Sequence, residues 1–168
     1  PYYRLPGFSD VERNDVVVFN YPVEFQYPPD LKTNYIKRAV GIAGDVIDVK
    51  MGDLLVNGEP AFKPEEMQYS YDVITNRPLN TEFFKEYGIN QESFGTFTNG
   101  SGYVVFGATN EVIQRLEASP VVTSVTKRIQ ANGGEEGIFP DGQLMCWNRD
   151  NYGLLKIPAK GWTSAVCY

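Results

Sequence analysis

Asn57-Gly58 narrows most sharply what this chain can fold into, because both residues tolerate positive φ and together close a two-residue reversal between strands. Two short blocks ahead of it suit such strands. Val46–Val49 alternates apolar and acidic residues and Leu54–Val56 follows a turn at Gly52, so the pair reads as a hairpin with one half-buried face. Val16–Phe19 and Tyr35–Val40 are blocks of β-branched and aromatic residues bounded by proline, glycine or asparagine, and they read as two more strands able to pair. The Asn20–Asn34 segment between them holds Pro22, Pro28 and Pro29, a composition that favours an extended surface loop over a helix. Residues 1–60 are therefore expected to be nearly all β.

The middle of the chain reads differently. Thr81–Tyr87 has helical spacing and Gly88 closes it; Tyr103–Phe106 suits a strand; Asn110 is placed to cap a helix over Glu111–Glu117; and Val121–Ile129 resumes strand character. That order is strand, helix, strand, and the short crossover leaves parallel pairing open. Gly133–Gly142 reads as a loop, with Leu144–Trp147 and Leu154–Ile157 as short strands after it. The expected fold is mainly β with a small α+β insertion, divided into residues 1–61, 62–143 and 144–168.

Composition then removes classes of function. With 168 residues the chain suits one domain and can bury roughly 70% of its extended surface. It has no histidine, which excludes Ser-His-Asp and Cys-His catalysis and every histidine-bearing zinc site. Any hydrolytic chemistry must use another base. A formal charge of −6 without a basic patch argues against nucleic acid as a partner. Cys146 and Cys167 lack CxxC spacing, so they suggest neither a zinc knuckle nor a redox pair, and whether they form a disulfide is left open. No stretch approaches 18 consecutive apolar residues. The sequence opens at Pro1 without a methionine and is expected to be a segment of a longer protein.

The segment Asn34-Tyr35-Ile36-Lys37-Arg38-Ala39-Val40-Gly41-Ile42-Ala43-Gly44-Asp45 closely resembles the lysine box of type I signal peptidases, where an apolar strand carries Lys-Arg and runs into a Gly-x-x-Gly-Asp turn. Upstream, Glu12-Arg13-Asn14-Asp15-Val16-Val17-Val18-Phe19, followed by Tyr21-Pro22, is similar to the family's Arg-Gly-Asp-Val-Val-Val-Phe strand, with Asn14 in place of glycine. Downstream, Leu54-Leu55-Val56-Asn57-Gly58-Glu59 resembles the hairpin ending in Val-Asn-Gly. The resemblance implies a signal-peptidase-like β domain from a membrane-associated serine endopeptidase that removes signal peptides from exported preproteins. It also implies a Ser/Lys dyad and no metal or organic cofactor.

On this resemblance Lys37 is the general base, Arg38 a structural neighbour that pairs with an acidic residue, and Val18, Tyr35 and Ile36 line the substrate pockets. A lysine amine serves as a base only if burial lowers its pKa from about 10.4 toward roughly 7 or 8, a penalty of about 4 kcal/mol on the charged form. Tyr35, Ile36, Ala39 and Val40 are the expected apolar wall. The family's nucleophile sits in a Ser-Met-x-Pro block that should precede Pro1. Ser9, Ser70, Ser93, Ser101, Ser119, Ser124 and Ser164 lack that context, so none is assigned as nucleophile and the chain alone is expected to be inactive.

Asn148-Arg149-Asp150-Asn151 looks like the family's final block, but Trp147 and Tyr152 stand where an aspartate and a serine belong, so its polar residues read as turn formers. The implied location is the outer, periplasmic face of the bacterial cytoplasmic membrane, reached through an anchor outside this sequence. The implied partners are the signal peptides of secreted preproteins. Two alternatives remain open: a noncatalytic peptide-binding or scaffold relative, and a self-cleaving Ser/Lys repressor-type domain.

Overall fold

The turn at Asn57-Gly58 forms with φ of +56° and +85°, the two positive values that a type I′ reversal needs. It joins strand β4 (Asp53–Val56) to the two-residue β5 (Glu59–Pro60), with Val56 opposite Glu59. A second positive-φ pair, Met51 at +52° and Gly52 at +75°, turns β3 (Val46–Lys50) into β4. Both reversals come from local chemistry, since their φ values match the right-handed twist of the strands that they connect.

The computed structural model describes residues 7, 9–97, 100 and 102–162, which fall into two compact units: Pro1–Phe62 with Gln130–Tyr168, and Lys63–Ile129. In the first unit β1 (Val16–Asn20) and β2 (Asn34–Arg38) form a two-stranded antiparallel ribbon. Beside it stands a sheet of order β10-β3-β4-β5, in which β10 (Tyr152–Lys156) pairs antiparallel with β3. A bulge between Gly153 and Leu155 interrupts that ladder. Gly153 has φ +116°, and a Cβ there would stand 2.7 Å from the Ile47 carbonyl oxygen. Only glycine fits so close a backbone approach.

The second unit is a four-stranded antiparallel sheet of order β7-β8-β6-β9, made of β6 (Tyr69–Thr75), β7 (Phe94–Thr96), β8 (Gly102–Ala108) and β9 (Val122–Lys127). Helices α1 (Thr81–Glu86) and α2 (Asn110–Glu117) supply Phe84, Ile113 and Leu116 to a core shared with Tyr71, Val73, Tyr103 and Val105. Phe84 stacks on Phe94 at 4.1 Å and meets the edge of Tyr103 at 5.0 Å. A buried side chain of this size contributes about 1.5–3 kcal/mol. The last turn of α1 is a Schellman motif: the Ile89 amide donates to the Phe84 carbonyl and the Gly88 amide to that of Lys85.

One open point is settled here and two expectations change. The strand–helix–strand segment does carry parallel strands, because β8 and β9 both run antiparallel to β6, but the two do not pair; α2 crosses over the intervening β6. The cap of α2 is Thr109, whose hydroxyl accepts from the Val112 amide, while Asn110 begins the helix and accepts from the Tyr71 hydroxyl. Leu144–Trp147, expected as a strand, holds instead the one-turn helix α3 (Gly142–Met145), because the Asp141 carboxylate accepts the Leu144 amide and commits the chain to a helical turn. None of the described helices is long and apolar enough to cross a membrane.

Candidate active site

Strand alternation decides which ribbon residues share a face. The register sets Val17 opposite Lys37 and Phe19 opposite Tyr35, and on the other face Val18 opposite Ile36 and Val16 opposite Arg38. Lys37 and Tyr35 therefore stand on one side, Val18 and Ile36 on the other. The Lys37 side is aromatic: Tyr35 meets Tyr21 edge-on at 4.8 Å and Phe19 at 6.3 Å, and the Lys37 ammonium lies 5.9 Å from the Tyr35 ring centre. A cation over an exposed ring at that distance is worth about 0.5–1 kcal/mol.

Every residue of β2 is exposed, Lys37 included. Of the expected apolar wall, Ile36 exposes 64% of its surface, Val40 41% and Tyr35 36% while Ala39 is half-buried, so the wall is largely open to solvent, and Val18 on the Ile36 face exposes 68%. Arg38 donates to the Asn14 carbonyl at 2.8 Å rather than to a carboxylate. Among the described residues Lys37 makes no hydrogen bond to a serine; Ser101 and Ser164 lie outside them, as does Cys167, while Cys146 is exposed. No grouping of acidic or cysteine side chains among the described residues could hold a metal ion.

The most saturated polar group near the ribbon belongs to Asp45, which is only 4% exposed. Its carboxylate accepts from the Arg13 Nε at 2.8 Å and from the same guanidinium's Nη2, from the Ile42 amide at 2.9 Å and from Asn57 Nδ2 at 3.0 Å. Arg13, first among these donors, and then the Ile42 amide and Asn57 hold the Asp45 carboxyl well below the usual carboxylate range. Asn57 in turn accepts the Val46 amide at 2.9 Å. Arg13, Asp45 and Asn57 come from three separate blocks of sequence, and one carboxylate gathers them.

A model of the family described as signal peptidase, peptidase S26, matches residues 2–108. This chain belongs to that family. Two curated proteins are similar over shorter stretches: a signal peptidase I of Leptolyngbya laminosa, 38% identical over 55 residues, which are 32% of this chain and 27% of the relative, and signal peptidase I P of Bacillus subtilis subsp. natto, 40% identical over 51 residues, 30% of this chain and 24% of the relative. The matched stretches thus span about a quarter of the length of either relative. No solved structure matches the chain significantly. The S26 match contains all three sequence blocks, and the mainly β architecture agrees with a signal-peptidase-like domain.

The blocks reveal the family, but the convergence of Arg13 and Asn57 on Asp45 was missed from sequence. Its only trace there is an arginine, an aspartate and an asparagine, one in each block, 32 and 12 residues apart along the chain.

Proposed function

We propose that the chain is part of a serine endopeptidase that removes signal peptides from exported preproteins, with Lys37 as general base. The observation that carries this reading is the S26 match over the segment that contains Lys37. In this mechanism a serine outside residues 1–168 attacks the scissile carbonyl, Lys37 takes its proton, and the same amine returns a proton to the leaving group. The protein cycles without a metal or organic cofactor. The 168-residue chain does not cleave peptides by itself, since a base without its nucleophile forms no acyl-enzyme.

The ribbon is exposed in this chain, so the reading requires further chain and substrate to cover Lys37. An amine needs a dry surround to act as a base at neutral pH, and the apolar faces around Lys37 are surfaces on which further chain and substrate can close. Tyr35 then lines a substrate side chain on the Lys37 face, Val18 and Ile36 line one on the opposite face of the ribbon, and Arg38 is structural. The insertion, expected over residues 62–143, is in this reading the narrower second unit, Lys63–Ile129, since Gln130–Tyr168 belongs with the first unit. The protein works at the outer face of the bacterial cytoplasmic membrane on the signal peptides of secreted preproteins.

The test is Lys37→Ala in the full-length protein. Removing the base is expected to lower processing by at least about 100-fold, so that unprocessed preprotein accumulates, while the far-ultraviolet spectrum and melting temperature stay near those of the wild type. Near-normal processing by this variant would make Lys37 an ordinary surface lysine and end the assignment.

A further inference from the structure

We propose that Asp45 and Arg13 form a positioning clasp that fixes the β1–β2 ribbon, and with it Lys37, against the four-stranded sheet of the first unit; the inference rests on the reading of Lys37 as the base. No strand of the ribbon packs broadly against that sheet, so side-chain and turn contacts must set its orientation. The path is short and continuous. Asp45 leads into β3, and its segment is bound to the residue that follows β10 as well, because the Ile157 amide donates to the Asp45 carbonyl at 2.8 Å and the Gly44 amide to the Ile157 carbonyl at 3.0 Å. Its carboxylate holds Arg13 through two bonds from one guanidinium. Asn14 and Asp15, the next two residues, lock onto the residue that follows the ribbon's other strand: the Asn14 amide donates to the Ala39 carbonyl and the Ala39 amide to the Asp15 carbonyl, both at 2.7 Å. Ala39 is two residues from Lys37.

The geometry explains why a carboxylate and an arginine hold this place. A planar guanidinium that meets both carboxylate oxygens fixes orientation as well as distance, which a single hydrogen bond or a lysine would not do. The Ile42 amide and Asn57 fill the remaining acceptor sites of Asp45, so the carboxylate cannot swing away without leaving several donors unpaired. Asp45 and Arg13 do not touch substrate in this scheme. They act through Asn14, Asp15 and Ala39 on where the amine stands.

The experiment compares Asp45→Asn, Arg13→Gln and their double variant in the full-length protein, assayed on a preprotein below the unfolding temperature of each. A misplacement of about 1 Å costs about 100-fold, so kcat is expected to fall by that order with KM changed by less than about threefold, and the double variant is expected to be no worse than the poorer single. Asp150→Ala is the control: it deletes the acceptor of the Gln130 amide, 2.8 Å away, beside the turn at the far end of the β3–β4 hairpin. It should lower stability and leave kcat alone. A kcat within about threefold of wild type for Asp45→Asn and Arg13→Gln, or a loss that Asp150→Ala reproduces at equal loss of stability, overturns the clasp.

Activity is not the only readout. Amide residual dipolar couplings of the 168-residue chain are expected to fit one alignment tensor for ribbon and sheet in the wild type and two in Arg13→Gln. A single shared tensor in that variant overturns the clasp whatever Lys37 does. Near-normal processing by Lys37→Ala, with the tensors separating as expected, sinks the base assignment alone.

Discussion

Asn148 is fully buried, and its side chain makes four hydrogen bonds. Its amide nitrogen donates to the carbonyls of Ala131 at 2.8 Å and Gly133 at 3.0 Å, and its oxygen accepts the amides of Asp150 at 3.0 Å and Asn151 at 2.9 Å. It thereby ties the segment that re-enters the first unit to the turn before β10. Asn148→Ala deletes all four bonds. At about 1 kcal/mol net for each, the loss is about 4 kcal/mol, a large part of the roughly 5–15 kcal/mol that holds a domain folded. Asn148→Asp keeps both accepted bonds, loses the two donated ones at a cost of about 2 kcal/mol, and sets an anion against two carbonyl oxygens. The assay is urea unfolding followed by the fluorescence of Trp147, the adjacent buried indole that lies 4.7 Å from the Tyr152 ring, in a Trp162→Phe background that silences the exposed tryptophan. A loss below about 1 kcal/mol for Asn148→Ala would refute the reasoning. The turn would then be held by the backbone alone, through the Asn148 amide to the Asn151 carbonyl and the Glu135 amide to the Trp147 carbonyl.

Gly153→Ala is expected to destabilise the first unit by about 1–3 kcal/mol in the same assay, because the new Cβ is driven onto the Ile47 carbonyl at a φ that alanine resists; an unchanged midpoint would mean that the bulge relaxes freely. The Asp45 carboxyl, lowered by Arg13, the Ile42 amide and Asn57, contributes stability that is present above the unfolded pKa of about 3.9 and is lost as pH falls through the lower folded value. The stability gap between wild type and Asp45→Asn should therefore be full at pH 5 and above and should narrow steadily below about pH 4. Acid titration of urea midpoints reads it, and a gap that does not change with pH would remove the carboxylate's charge from the explanation.

The sequence by itself determined what depends on near neighbours. The hairpin turns at Met51-Gly52 and Asn57-Gly58 follow from residues that accept positive φ, and β1, β2, β3 and β4 follow from short β-branched blocks between breakers. The same blocks sufficed to identify the family, since order and spacing are properties of the chain. Residues 62–80 were not read as structure, yet Tyr69–Thr75 forms β6, the strand that pairs with both β8 and β9; an inner strand is fixed by its two neighbours, which no local window contains. Leu144–Trp147 was misread for the opposite reason, because its apolar run resembles a strand while a single carboxylate at Asp141 turns it helical.

The polar residues divide in the same way. The turn-forming character of Asn148, Asp150 and Asn151 was legible from residue type, but the burial of Asn148 and its bonds to Ala131 and Gly133 depend on a segment 15 to 17 residues away. Lys37 stands out as a candidate in sequence because it sits in a family block, whereas its face of the ribbon, its exposure and its tie to Arg13 and Asp45 through Ala39 were decided only by folding. Pattern and turn chemistry act over a few residues. A carboxylate that must find four donors from three segments is satisfied only when the tertiary structure brings them to one point.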